Sequence, residues 1–203
     1  MIYLIYGGSG SGKSEYAEKL AASLDDNRYY IATMKALSDE DMGRVKKHRM
    51  QREGKGFVTI EMPTDISRAL NYMSDRHAGD CVDSIQHPDG DDYCLTGCTA
   101  LLECVSNLLA NEMFVKENNE YITIPADIVS DKIINDIEIV SRRISNLVIV
   151  SNDVFEDSDN YDEQTLEYIN ALGRINAAIA EMADVVTEVV YGIPIAIKGN
   201  AID

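Results

Sequence analysis

"YGGSGSGKSE", Tyr6 to Glu15, follows directly on the apolar run "IYLIY" at residues 2–6 and opens the helix-period stretch "EYAEKLAASL" at 15–24. Gly7 to Ser14 fits the pattern G-x-x-x-x-G-K-[ST], and a buried strand before it with a helix after it is the setting that pattern requires. Small residues at Gly7, Gly8, Ser9, Gly10, Ser11 and Gly12 let successive backbone N–H groups turn inward toward phosphate oxygens at a helix amino terminus. Lys13 would then reach the β- and γ-phosphates, and the Ser14 hydroxyl would ligate Mg2+. A dinucleotide-binding turn fits less well. It calls for an acidic residue at the end of the second strand, where this chain has Ala32 and Thr33.

Outward from this turn, apolar runs alternate with helix-period segments. The spacing predicts strands over 2–6, 28–33, 57–62, 100–105 and 147–151, and helices over 13–24, 39–53, 64–76 (opened by Thr64), 106–115, 127–146 and 163–183. "VVTEVVYG" and "IPIAIK" predict a closing antiparallel pair around Gly192. The expected fold is α/β, a mostly parallel sheet flanked by helices with an antiparallel C-terminal edge. The 203 residues suffice for one core, so residues 1–203 read as a single nucleotide-binding domain. Residues 77–99, Gly- and Asp-rich, read as an irregular surface insertion, and the acidic stretch 153–163 reads as a solvated loop.

A net charge of −17 opposes approach to nucleic acid or an anionic leaflet. No apolar run is long enough to span a bilayer, and "MIYLIYGG" lacks the features of a signal peptide, so the expected address is cytoplasmic. Cys81, Cys94 and Cys98 with His77 and His87 form a minor zinc alternative, looser than metal-ligand spacing normally is.

A P-loop also needs a carboxylate at the end of another strand to hold magnesium or its water. Glu103 in "ALLEC" is the best placed, ahead of Asp41, Glu61 and Asp153. In a strongly acidic chain, "RVKKHRMQREGK" at 44–55 gathers six of the eighteen Lys and Arg residues. At helical spacing Arg44, His48 and Arg52 form one stripe. It would suit a polyphosphate, with a neutral imidazole able to attack phosphorus, and local sequence leaves a simple solvated basic helix equally open.

Taken in order, "GGSGSGKSEYAE", "YIAT", "RVKKHRMQR", "LLECVSNLL", "VIVSND" and "GRINAAIAEMADVVTEVVYGIPIAIKG" resemble the bifunctional adenosylcobinamide kinase/adenosylcobinamide-phosphate guanylyltransferase family of cobalamin assembly. The resemblance implies a RecA-like P-loop fold, with GTP and/or ATP as substrates and Mg2+ as cofactor. It implies phosphorylation of the aminopropanol hydroxyl of cobinamide, then GMP transfer from GTP to cobinamide phosphate through a guanylylated histidine. The family's Arg-x-x-x-His-x-x-x-Arg arrangement falls on Arg44, His48 and Arg52, which makes His48 the expected covalent nucleophile beside Lys13. It also implies a homo-oligomer, commonly a trimer. The chain departs from the family where a "NEVGxGIVP" loop and a later Arg-x-Phe pair would stand. It has "NDVFEDSDNY" at 152–161, and Leu166 and Tyr168. A kinase without guanylyl transfer is the nearest alternative. A GTP-binding regulatory protein is a weaker one, because no guanine-reading NKxD-type segment is visible. "GRIN" and the alanines at 177, 178, 180 and 183 read as a close-packing helix face.

Overall fold

A computed structural model describes residues 1–35, 43, 54–77, 94–117, 120–153 and 161–199. In chain order these form β1 (Ile2–Gly7), α1 (Lys13–Leu24), β2 (Asn27–Ala32), β3 (Phe57–Glu61), a 3-10 turn (Ile66–Arg68) and α2 (Ala69–His77). Then follow β4 (Leu95–Glu103), α3 (Val105–Met113), β5 (Phe114–Glu117), β6 (Glu120–Thr123) and α4 (Ala126–Arg143). The last are β7 (Ile144–Asn152), α5 (Glu163–Met182), β8 (Val185–Val190) and β9 (Ile193–Lys198).

Seven strands make one sheet in the order β3-β2-β4-β7-β1-β8-β9, parallel except for β9, which returns antiparallel on β8. One strand, β7, separates β1 from β4, the arrangement of a RecA-like P-loop sheet. Because successive strand residues point to opposite faces, each central strand feeds two cores. Tyr3, Ile5, Leu101, Val148 and Val150 pack with Ala17, Leu20 and Ala21 of α1. Leu4, Leu102, Leu147 and Ile149 pack with the opposite layer, which includes Met73 of α2, Leu108 of α3, Ile133 of α4 and Ile175 of α5. Ile5, Leu101 and Leu102 are fully buried, and each such side chain contributes about 1.5–3 kcal/mol by leaving water. No helix among the described residues is long and apolar enough to cross a membrane.

The structure moves several expected boundaries. The helix expected from Thr64 begins later, because Asp65 takes a left-handed backbone (φ 52°). Glu112 Oε1 accepts its N–H at 2.8 Å and Lys132 Nζ lies 2.9 Å from its carboxylate, so the chain turns before it coils. β4 starts at Leu95, so the last part of the expected 77–99 insertion is strand, with Cys98 and Thr99 buried in the sheet. Residues 78–93, with Cys81 and His87, lie outside the described residues, and among those described no cluster of three His, Cys, Asp or Glu forms a metal site. The 127–146 helix ends at Arg143, and Ile144 already pairs with Leu95 in the sheet. The antiparallel pair β5–β6 was not foreseen. On α5 the buried face is Ala171, Leu172, Ile175 and Ile179; of the expected alanine face, Ala183 is buried and Ala180 packs against the core, Ala178 is half-buried and Ala177 is exposed.

Candidate active site

The carboxyl ends of β1, β2, β4 and β7 converge at one rim of the sheet, where open α/β sheets bind ligands. β1 ends in Gly7, whose φ of 155° is matched by a lack of room. A Cβ there would lie 2.5 Å from the Val189 carbonyl oxygen and 2.9 Å from Ser11 Oγ. The turn then closes with Ser11 N–H donating to Gly8 O (3.2 Å), and α1 starts from Gly12, left-handed at φ 93°. A side chain on Gly12 would meet Gly192 Cα at 3.2 Å, so the β8–β9 turn lies directly against the loop. A hydrogen bond fixes that contact, Gly192 N–H donating to Ser11 O at 2.7 Å.

Lys13 is buried and folds back over the loop, its Nζ donating to Gly8 O at 2.9 Å. Burial lowers its pKa from the ordinary value of 10.5, opposed by the neighbouring Cys104 and Glu103. Ser14, one residue on, donates its hydroxyl to Glu103 Oε1 at 2.5 Å, across 89 positions of sequence. The other carboxylate oxygen, Oε2, accepts the Tyr30 hydroxyl at 2.7 Å. Gly7, Gly8, Ser9, Gly10, Ser11, Gly12, Lys13, Ser14 and Glu103 therefore share one site. Ser14 and Glu103 present hard oxygen donors of the type Mg2+ takes.

Thr33 fixes the strand end that carries Glu103. Fully buried beside β4, it donates its N–H to Glu103 O (3.0 Å). Its Oγ1 accepts the Cys104 N–H (2.7 Å) and lies 2.9 Å from the Glu103 and Cys104 carbonyls. Asn111 Nδ2 in turn donates to Thr33 O at 2.7 Å. A second network joins α3, β7 and α5. Asn152 Nδ2 donates to Ser106 Oγ (2.6 Å), Tyr168 OH to Ser106 O (3.0 Å), Ser151 Oγ to Asn176 Oδ1 (2.6 Å) and Asn176 Nδ2 to Asn152 O (3.2 Å). Asp153 N–H donates to Gly7 O at 3.1 Å, so this network reaches the P-loop. Thr33, Ser106 and Asn176 carry no site signal of their own in the sequence, although they stand in "YIAT", "LLECVSNLL" and "GRIN", segments that carry the family resemblance.

Of the competing carboxylates, Glu61 ends β3 at the sheet edge and Asp153 flanks the loop through its backbone. Asp41 lies outside the described residues, as do Arg44, His48 and Arg52. The downstream end of the basic stretch is described. Lys55 Nζ lies 2.5 Å from Oε2 of the buried Glu18 on α1. In the acidic stretch, Asp162 caps α5 by accepting the Thr165 N–H at 2.7 Å, which lowers its pKa.

The cobinamide kinase / cobinamide phosphate guanyltransferase family matches residues 3–87 and 92–197. The chain is 28% identical over 198 residues to the bifunctional adenosylcobalamin biosynthesis protein CobP of Pseudomonas aeruginosa, covering 97% of each. It is 28% identical to the bifunctional adenosylcobalamin biosynthesis protein CobU of Salmonella typhimurium, and 27% identical to that of Escherichia coli. Each of these alignments covers 98% of this chain and 100% of the relative. A solved ATPase domain gives a TM-score of 0.44 at 10% identity, covering 92% of this chain and 68% of its own.

Proposed function

The chain belongs to the cobinamide kinase / cobinamide phosphate guanyltransferase family, and from that membership and the cradle at the head of α1 we propose how its residues divide the work. The enzyme phosphorylates the aminopropanol hydroxyl of cobinamide and then guanylylates the product. One observation carries the assignment of the phosphoryl site: Lys13 and Ser14 at the loop meet Glu103 from β4, with the Ser14 and Glu103 oxygens 2.5 Å apart.

In the first reaction the P-loop N–H groups and Lys13 hold the triphosphate and stabilise charge developing on the transferring group. The cobinamide oxygen attacks the γ-phosphorus, the bond to the β,γ-bridging oxygen breaks, and the nucleoside diphosphate and the hydroxyl proton leave. Ser14 and Glu103 would hold Mg2+, which when bound neutralises phosphate charge. In the second reaction a neutral nitrogen of His48 attacks the α-phosphorus of GTP, forming a P–N bond and releasing pyrophosphate. A phosphate oxygen of cobinamide phosphate then attacks the same phosphorus, the P–N bond breaks and the histidine is restored. Arg44 and Arg52, one turn either side in the predicted helix, would hold the GTP phosphates. The family resemblance also supports a homo-oligomer, to be checked by sedimentation. The exposed Ile193, Ile195 and Ile197 on β9 are consistent with burial between copies.

Intact-protein mass spectrometry after incubation with magnesium and GTP tests the covalent step. A GMP-sized increment that acid removes is expected in the wild-type chain and not in His48→Ala. An increment of equal size in His48→Ala would displace His48 from this role.

A further inference from the structure

The hairpin that closes the sheet ends in Tyr191 and Gly192, a two-residue loop between the paired residues Val190 and Ile193. Both loop residues have positive φ, 49° and 80°, the geometry of a type I′ turn. Gly192 suits that geometry. Tyr191 does not, since Asn, Asp or Gly would take the first position with less strain. Packing offers no compensation, because Tyr191 is 95% exposed. A residue that strains its turn and is left exposed within the single chain points to a role beyond the folding of that chain.

The turn is not remote from chemistry. Gly192 donates its N–H to Ser11 O, and Gly12 has no room for a side chain against Gly192 Cα. The tyrosine is therefore rooted one residue from a direct backbone contact with the phosphate cradle. It stands on the β8 side of β1, away from the Glu103 side. We infer that Tyr191 is the residue on which the purine base of the P-loop nucleotide stacks. The inference rests on the P-loop reading above. A stacked ring accepts either purine, since stacking needs only a π face, so this contact would grip the donor without choosing between GTP and ATP.

Calorimetric titration of the full chain with Mg-GTP, Mg-ATP and magnesium tripolyphosphate tests it, using wild type, Tyr191→Ala, Tyr191→Phe, Tyr191→Asn and Lys13→Ala. Tyr191→Ala is expected to weaken both nucleotides by about 5- to 100-fold and to leave tripolyphosphate affinity unchanged. Tyr191→Phe should bind like wild type. Tyr191→Asn should weaken nucleotide binding while raising the thermal midpoint, because it relieves the turn. Unchanged nucleotide affinity in Tyr191→Ala overturns the inference, even if the KM for cobinamide rises, as does equal loss of tripolyphosphate. Failure of the P-loop reading looks different: Lys13→Ala would then bind nucleotide and tripolyphosphate as wild type does.

Discussion

Two regions flank the P-loop and are built on opposite plans. On the β4 side, Glu103 has both carboxylate oxygens engaged by Ser14 and Tyr30, and its backbone is pinned by the buried Thr33. On the β8 side, the Tyr191–Gly192 turn touches the loop only through backbone and holds its aromatic ring in solvent. The contrast teaches where preorganisation is needed. Groups that meet developing charge lose effect if they must reorganise during the reaction, so they are fixed in advance by the fold. A surface that stacks on a base needs only to be within reach.

The comparison breaks first at Lys13. Lys13→Ala removes the buried cation that folds over the loop, and a loss of about 10²–10³ in kcat for cobinamide phosphorylation is expected in steady-state assays. A loss confined to KM would mean that Lys13 serves ground-state binding alone. The fixed side is tested by Thr33→Val, which leaves the buried Cys104 N–H without its acceptor. Urea unfolding should show about 1–3 kcal/mol of destabilisation, with activity falling because Glu103 is no longer held. A smaller effect is expected on the alkaline side. Burial pushes the Tyr168 phenol up from 10.0 to about 12. The unfolded chain ionises first, so stability present below pH 10 falls as pH rises from about 10 and levels near 12. Tyr168→Phe should flatten that segment of the urea-midpoint profile against pH.

The legible parts of the sequence were those where local pattern and tertiary role coincide. Gly7 to Ser14 carries its own strand, turn and helix signals, and Glu103 stands out as an acid ending an apolar run. The closing hairpin was legible because Gly192 sits between two apolar, β-branched-rich runs. What remained hidden depends on long-range partners. Thr33 is an ordinary strand-end threonine until β4 lies beside it, with its contacts 70 and 71 residues away. Asp65 looked like the first turn of a helix, and only Glu112 and Lys132 hold it left-handed. Tyr191 read as the end of a strand-like run, and the contact that its neighbour Gly192 makes with the loop appears only when β8 pairs with β1. Tyr168 shows how a departure from the family pattern is absorbed, its ring stacked on Phe114 and its hydroxyl on Ser106 O.

The most direct test of the account follows cobinamide, GTP and magnesium through one reaction vessel by liquid chromatography and mass spectrometry. Wild-type enzyme should convert cobinamide through cobinamide phosphate to GDP-cobinamide, Lys13→Ala should leave cobinamide largely unreacted, and His48→Ala should stop at cobinamide phosphate. GDP-cobinamide formed by His48→Ala at the wild-type rate, or cobinamide phosphate formed undiminished by Lys13→Ala, would contradict a P-loop phosphoryl transfer followed by guanylyl transfer through His48.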